Sequence, residues 1–265
     1  MKRFSIYTLL LLASGLLFTA CDDGGYDPKP QDTTTEVSIM MHYTYDGQPF
    51  DARQQYQLTD AGGNDATIDF SFVGFIVSDL VIVYDDGTEA TLNDSYQVFD
   101  AHLNPMQTLS FGKFELGDKS VAGIRFHIGL NPALNGIDPV AELSEEHVLY
   151  RPDMHWGWNP EAGYKFIRYE ADYTLANAPD SAREITYHIA NDENFQEVST
   201  LASVAPKANE NGDLTWHVDF DVKSVLDDID LTTEDFSMSS ADVVAVTNKV
   251  KANFANAAFS ANDMD

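Results

Sequence analysis

The sequence Gly74-Phe-Ile-Val-Ser-Asp-Leu-Val-Ile-Val-Tyr84 is the most apolar run of the chain outside its first twenty residues. Asp85, Asp86 and Gly87 follow this run, and such residues are typical of a hairpin turn. A short apolar run that is rich in Val and Ile and bounded by turn residues favours a strand over a helix. We therefore predict a buried central strand over residues 74–84.

Further strands are predicted on both sides of this run. Apolar and polar residues alternate over residues 67–72 and for most of residues 36–45, which is the pattern of a half-buried strand. The other predicted strands are separated by turn residues and cover residues 95–99, 109–114, 121–130, 164–175, 184–189 and 213–221.

The C-terminal part shows a different pattern. Residues 222–229 are compatible with a helical turn. Residues 241–259 predict a helix, because they are rich in alanine and repeat apolar residues at helical spacing. The tail over residues 260–265 is expected to fray.

Residues 131–163 fit neither pattern. They contain Pro132, Pro139, Pro152 and Pro160, several glycines, and two of the three tryptophans of the chain. A long irregular segment inside a compact domain is usually functional. This segment is therefore the first place to search for a site.

Together these elements predict an all-β fold. Many short strands with turns between them, and no internal repeat or βαβ alternation, indicate an antiparallel sandwich. An immunoglobulin-like β-sandwich with a long irregular Trp-rich loop and a C-terminal helix is the first choice. We expect the sandwich to cover residues 36–225, and a helical C-terminal extension of the same domain to cover residues 226–265.

The N-terminal segment is similar to the signal peptide of an exported bacterial lipoprotein. Residues 1–20 have a basic head and an apolar run too short to span a bilayer as a permanent helix. They end in Leu17-Phe-Thr-Ala-Cys21, which resembles a lipobox, and Cys21 is the only cysteine. We predict cleavage before Cys21, a lipid anchor on Cys21, and a flexible tether over residues 21–35. The alternative is a free thiol inside a plain secretory signal.

This N-terminus predicts a location in the cell envelope, with the protein anchored in the periplasm or at the outer membrane or cell surface. The net charge is −28, with 15 Lys and Arg against 43 Asp and Glu. Such a chain repels the phosphate backbone, so we predict no nucleic-acid binding. The acidity favours cations or a basic patch on a partner, and solubility in a salty medium explains it equally well.

No catalytic signature stands out. The sequence has no Gly-rich phosphate loop, no Gly-x-Ser-x-Gly elbow and no His-Glu-x-x-His pair. With 43 acidic residues, any chosen pair of carboxylates is weak support for a glycosidase. We therefore predict that the protein is not an enzyme.

Residues 154–158 place a thioether, an imidazole and two indoles within five positions. In one interpretation the tryptophans close an open end of the sandwich, and composition alone favours this interpretation. In the other they border a copper site, because soft sulfur and imidazole ligands suit Cu(I) and imidazole suits Cu(II).

The same residues resemble the MbnP-like family of exported bacterial lipoproteins, which is named for the methanobactin-associated periplasmic protein. Met154-His-Trp-Gly-Trp158, followed by Gly163-Tyr-Lys-Phe166 and Glu170, is similar to the family signature Met-x-Trp-x-Trp…Gly-Tyr-x-Phe…Glu. Weaker motifs occur in the family's order: the first strand with His42, Gly47-Gln-Pro-Phe50, Phe75-Ile-Val-Ser-Asp-Leu80, Ile124-Arg-Phe-His-Ile-Gly-Leu-Asn131, and Tyr187-His-Ile189.

The resemblance implies a β-sandwich that binds copper as its cofactor. It also implies that a diheme partner, similar to a cytochrome peroxidase, converts a tryptophan to kynurenine, here Trp156 or Trp158. By position, His42 and His188 match family histidines on strands. His155 lies at a variable place in the Trp block and is a third candidate ligand.

Two functions remain open at this stage. In the first, His42, His188 and one ligand from the loop form a three-coordinate copper site used in copper acquisition or handling. In the second, the protein is a metal-free structural or adhesive surface lipoprotein that binds a protein or glycan through the aromatic loop. A hydrolase whose catalytic carboxylates show no recognisable motif is a third and weaker possibility.

Overall fold

The computed structural model describes residues 34–157, 159, 162–239 and 243–262. The predicted signal peptide, the predicted lipidation site Cys21, most of the predicted tether and Trp158 lie outside these residues. The described part is mostly β and belongs to one compact unit. None of its helices is long and apolar enough to cross a membrane.

The strands of the described residues are β1 (Thr35–Tyr45), β2 (Gln48–Pro49), β3 (Gln55–Thr59), β4 (Asp65–Tyr84), β5 (Glu89–Thr91), β6 (Tyr96–Asp100), β7 (Met106–Phe114), β8 (Val121–Ile128), β9 (Lys165–Leu175), β10 (Ala178–Ala190), β11 (Gln196–Val198), β12 (Lys207–Ala208), β13 (Leu214–Asp221), β14 (Phe236–Ser237) and β15 (Phe259–Ala261). The helices are α1 (Pro132–Asn135), α2 (Pro139–Glu142) and α3 (Val244–Asn256), and short 3-10 turns cover Pro152–Met154, Asp192–Asn194 and Lys223–Leu226.

In the part of the chain that the structure describes, one sheet has six strands and is organised around β1. This strand pairs with β13 in parallel and with β7 and β2 antiparallel. Strands β12 and β15 both pair with β13 in antiparallel orientation. The first strand of the domain, β1, and the late strands β13 and β15 therefore lie in the same sheet.

The other sheet has nine strands and is organised around β4. Its residues 66–75 pair with β9 and its residues 77–84 pair with β8, and the short strands β3, β5 and β6 also pair with it. The sheet continues from β9 to β10, and β10 pairs with β14 in parallel. At the other edge β11 pairs with β8.

Within the described residues, one apolar cluster joins the two sheets. On β1 the side chains of Val37, Ile39, Met41 and Tyr43 are buried, and the residues between them are mostly less buried, as expected for a strand with one core-facing side. Across the core, the ring centroids of Phe75 on β4 and Phe220 on β13 are 4.6 Å apart. The core thus lies between the sheets and is rich in aromatic rings.

The predicted β-sandwich with a C-terminal helix is confirmed, but its sheets are mixed and not wholly antiparallel. The residue order explains the two parallel pairs, since β1 and β13, like β10 and β14, are joined by long connections and not by hairpins.

Three local differences from the sequence expectations are clear. The predicted strands at 67–72 and 74–84 form one strand, β4, whose register with β9 shifts between Phe70 and Phe72. The C-terminal helix is shorter than predicted, and its first predicted residues, Ala241 and Asp242, lie outside the described part. The tail does not fray immediately, because Phe259–Ala261 forms β15.

Candidate metal centre

His188 lies on β10, on the outer side of the nine-stranded sheet. Its neighbours Tyr187 and Ile189 belong to the core, so the alternation of the strand directs His188 away from the core. The residue is nevertheless only 8% exposed. A ring contact with Trp156, with centroids 5.4 Å apart, accounts for part of this burial.

Glu170 on the adjacent strand β9 holds one nitrogen of this imidazole. The distance from His188 Nε2 to Glu170 Oε1 is 2.5 Å. Because an ionised carboxylate only accepts hydrogen bonds, Nε2 carries the proton and donates it to Glu170. Arg168 donates to both oxygens of Glu170, at 2.8 Å each. This arrangement fixes both the tautomer and the orientation of the ring.

The carboxylate of Glu170 is strongly stabilised in its charged form. Burial raises the pKa of Glu170, but the hydrogen bonds from His188 and Arg168, together with the positive charge of Arg168, outweigh the burial and lower the pKa to about 2. Glu170 is therefore ionised at neutral pH and acts as a permanent acceptor for His188.

The second nitrogen of His188 remains available. Nδ1 is buried and has no hydrogen-bond partner among the described residues. A buried polar atom without a partner costs free energy of about 1–3 kcal/mol. In metal sites, a ligating histidine commonly donates its other N–H to a carboxylate, which is the contact that Nε2 makes here. The geometry of His188 thus fits an imidazole that binds a metal through Nδ1.

Hydrogen bonds and a cation–π contact hold Trp156 and the loop around it against β9 and the residues just before it. The backbone N–H of Trp156 donates to the carbonyl of Gly163 at 3.0 Å, and Nζ of Lys165 lies 5.0 Å from the indole centroid. Lys165 and Arg168 both donate to the carbonyl of Asp153, at 3.0 and 3.3 Å. The loop therefore places the indole, which is 6% exposed, next to His188.

A buried asparagine supports the far end of this loop. Oδ1 of Asn135, the last residue of α1, accepts from the backbone N–H of Tyr164 at 2.8 Å, and its Nδ2 donates to Asp192 at 2.9 Å. Gly163 has a φ of +66°, and a Cβ there would lie 2.3 Å from Oδ1 of Asn135. The close packing of Asn135 against Gly163 explains why this position is a glycine.

His155 does not join the same cluster. Its backbone is extended, so its side chain points away from the side chain of Trp156. It packs against Tyr164, with ring centroids 5.0 Å apart, and burial lowers the pKa of its imidazole. No hydrogen bond or ring contact links His155 to His188 within the described residues.

His42 lies on the opposite side of the molecule. It follows Met41 and precedes Tyr43, both core residues, and therefore lies on the outer side of the six-stranded sheet. The centres of packed sheets are about 10 Å apart, whereas a copper or zinc ion binds nitrogen at roughly 2 Å. The structure therefore does not bring His42 and His188 together, and one ion does not bind both.

The described residues contain no group of three or more His, Cys, Asp or Glu side chains placed to hold a metal ion. The structure unites His188 with Trp156 and leaves His42 and His155 elsewhere, while Trp158 lies outside the described part. Sequence reasoning did not assign Glu170 and Arg168 a role at the site. Their position on the strand next to His188 gives them one, and Glu170 already stood in the family signature.

Comparisons with known proteins agree with this fold. The family model of MbnP matches residues 34–244. The solved structure of MbnP from Methylosinus trichosporium is similar, with a TM-score of 0.51 and 18% sequence identity over 73% of this chain and 78% of that chain. A search of curated proteins finds no match. Identity this low shows the fold alone, but the family match covers well over half of the chain, and the protein therefore belongs to the MbnP family.

Proposed function

We propose that this protein is a non-catalytic, exported lipoprotein that binds copper at His188 beside Trp156 and serves copper acquisition or handling. Membership of the MbnP family supports a copper-related function. The observation that carries the proposal is the imidazole of His188, whose Nε2 is held by Glu170 while its buried Nδ1 has no partner among the described residues.

The second ligand in this proposal comes from Trp156. Conversion to kynurenine opens the bond between Cγ and Cδ1 of the indole and adds two oxygen atoms, one from each of two molecules of hydrogen peroxide, and each peroxide leaves its other oxygen as water. Hydrolysis then releases the former Cδ1 as formate and leaves an aromatic amine and a ketone. The ring centroids of Trp156 and His188 are 5.4 Å apart. Nitrogen and oxygen donors formed from Trp156 would therefore be close enough to share one copper ion with His188.

A diheme partner similar to a cytochrome peroxidase is the proposed catalyst of this oxidation. Haem proteins perform the electron-transfer and peroxide chemistry that no side chain supplies by itself. The requirement for an added ligand agrees with the described residues, which hold no ready group of three His or acidic ligands. Cys21 is the proposed site of the lipid anchor that keeps the protein in the cell envelope.

The test is to express the full chain in its native host with and without the diheme partner. We expect the peptide that contains Trp156 and Trp158 to show the mass of kynurenine only when the partner is present. We also expect the modified protein to co-purify with one equivalent of copper more than the unmodified protein. His188→Ala removes the nitrogen ligand and should abolish this additional copper binding without preventing the modification, because affinity depends on the ligands.

His102→Ala is the matched control, since His102 is an exposed histidine in a turn. This variant should retain both the modification and the copper. Unmodified tryptophans and no copper gained over the protein made without the partner, with the partner and copper both supplied, would overturn the proposal and favour a lipoprotein whose aromatic loop binds a partner and no metal. Retention of the additional copper by His188→Ala would overturn the assigned ligand.

A further inference from the structure

The outer face of the six-stranded sheet carries a second set of potential metal ligands. On β1, Met40 and His42 lie on the side opposite the core residues Met41 and Tyr43. On β13, His217 lies between the buried residues Trp216 and Val218 and also faces outward. These positions belong to two adjacent strands.

The strand register places these side chains in neighbouring rows. Met40 is opposite His217 on β13, and His42 is opposite Met106 on β7. Cβ atoms of directly opposite residues in a sheet are about 4.5–5.5 Å apart, and those of diagonal neighbours, such as His42 and His217, are about 7–8 Å apart, which long side chains can span to share one ion. Two imidazoles and two thioethers therefore share one surface patch of three strands.

Two features of this patch point to a ligand. The rings of His42 and His217 are stacked, with centroids 6.0 Å apart and an interplanar angle of 27°. Nε2 of His42 is buried and has no hydrogen-bond partner among the described residues. The nearby carboxylate of Asp219 does not satisfy that nitrogen, and its Oδ1 accepts instead from Asn262 at 2.5 Å.

The chemistry of the patch selects the metal. Thioethers are soft ligands that favour Cu(I), and imidazole also binds copper, whereas calcium and magnesium require oxygen ligands. Met106 is 46% exposed, so the patch is open to an ion from solution. The overall charge of −28 attracts cations to the protein.

We propose that Met40, His42, Met106 and His217 form a second site, specific for Cu(I), on the face of the sandwich opposite His188. This site needs no oxidised tryptophan, and the domain core separates it from the site at His188. It is therefore independent of the diheme partner and of the function proposed above.

The experiment uses the full chain produced without the diheme partner, so that the tryptophans are unmodified. Cu(I) is titrated anaerobically against a chromogenic Cu(I) chelator, and the bound copper is examined by X-ray absorption. We expect one tightly bound Cu(I) with both nitrogen and sulfur neighbours. Loss of an outer hydrogen-bond partner of a metal ligand typically lowers metal affinity by roughly 10- to 100-fold. His42→Ala and His217→Ala each remove a direct ligand, so the Cu(I) affinity should fall by more than this.

The double variant Met40→Leu/Met106→Leu tests the thioethers with little change in side-chain volume, and it should lose the sulfur signal. Met238→Leu is the control, because Met238 is a partly exposed methionine outside the patch. His188→Ala should leave this binding unchanged, which separates the two sites. No Cu(I) binding by the unmodified chain, or equal binding and an unchanged X-ray signal in the double methionine variant, would overturn the proposal.

Discussion

At the scale of single residues, Glu170 determines which nitrogen His188 can offer to a metal. Glu170→Gln keeps the side-chain size but removes the charge that binds both His188 and Arg168. Loss of such an outer partner typically lowers metal affinity by about 10- to 100-fold, so we expect a fall of this size in copper affinity. Competition with a copper chelator, on protein made with the diheme partner, measures the change.

The matched control for this substitution is Glu184→Gln. Glu184 lies on the same outer side of β10 as His188, is exposed, and makes no contact with the imidazole in the described residues. Its substitution should leave copper affinity unaltered. Equal affinities for both variants and the unsubstituted protein would show that Glu170 does not orient the ligand.

Gly163 allows a second prediction at this scale, about the loop that holds Trp156. In Gly163→Ala, the added Cβ would meet Asn135 at 2.3 Å in a backbone conformation with a φ of +66°. Such local strain costs on the order of 1–3 kcal/mol, so the free energy of unfolding should fall by this amount. Denaturant unfolding followed by fluorescence measures it.

Gly157→Ala is the control within the same loop. A Cβ at Gly157 has no atom within 4 Å among the described residues, and its φ is outside the left-handed region. We therefore expect a stability change within about 0.5 kcal/mol of zero. A loss in Gly157→Ala equal to that in Gly163→Ala would mean that the loop responds to any alanine, and not to the contact with Asn135.

The sequence predicted the residue types of the site better than their grouping. Both His42 and His188 alternate with core residues, so the period of two already directs both side chains outward. The pattern does not say which sheet each strand joins, and strands on different sheets place outward residues on opposite surfaces. The contact of His188 with Trp156 likewise depends on how the loop returns over β9 and β10.

At the scale of elements, the last strand, β15, contributes to the core although it follows the C-terminal helix. Phe259 is 3% exposed and packs against the rings of Phe75, Phe126 and Phe220, with centroid distances of 5.1–5.5 Å. Phe259→Ala should therefore lower the free energy of unfolding by about 3–5 kcal/mol. Urea unfolding followed by circular dichroism measures this loss.

Phe236→Ala is the comparison for Phe259→Ala. Phe236 on β14 is 45% exposed, and its truncation should change stability by no more than about 0.5 kcal/mol. If Phe259→Ala also proved nearly neutral, the C-terminal residues would be frayed, as the sequence alone suggests, and β15 would not form a stable part of the sheet.

Most strands could be located from the sequence, because alternation and turn residues are local signals. The pairings could not, since the parallel contact of β1 with β13 joins residues 37–44 to residues 214–221. The strand β15 was missed for a related reason. Three residues are too few to show a period, and Phe259 fits a helical pattern as well as a strand.

At the scale of the whole molecule, the two outer faces of the sandwich have different chemistry. The nine-stranded sheet presents His188 with Glu170 and an aromatic loop, whereas the six-stranded sheet presents imidazoles and thioethers. The aromatic core between them excludes water, so an ion cannot pass through it. Any transfer of copper between the two proposed sites would therefore proceed around the molecule or through a partner.

The same core makes the stability of the whole protein sensitive to alkaline pH. Several core tyrosines have a pKa above the ordinary value, and burial is the largest cause in each of them. These residues are Tyr43, Tyr45, Tyr164, Tyr169, Tyr173 and Tyr187. The folded state therefore holds these protons more tightly than the unfolded state, in which tyrosine ionises near pH 10. Stability is retained below this pH and falls as the pH rises above it, by up to about 1.4 kcal/mol per pH unit for each buried tyrosine.

Urea midpoints measured between roughly pH 8 and 11 should be flat at first and then decline steeply, with the tyrosinate absorbance of the buried group appearing only as the protein unfolds. Tyrosinate absorbance from nearly all tyrosines in a protein that keeps its native circular dichroism would show that the hydroxyl groups are open to solvent, and that burial in the sandwich does not control their ionisation.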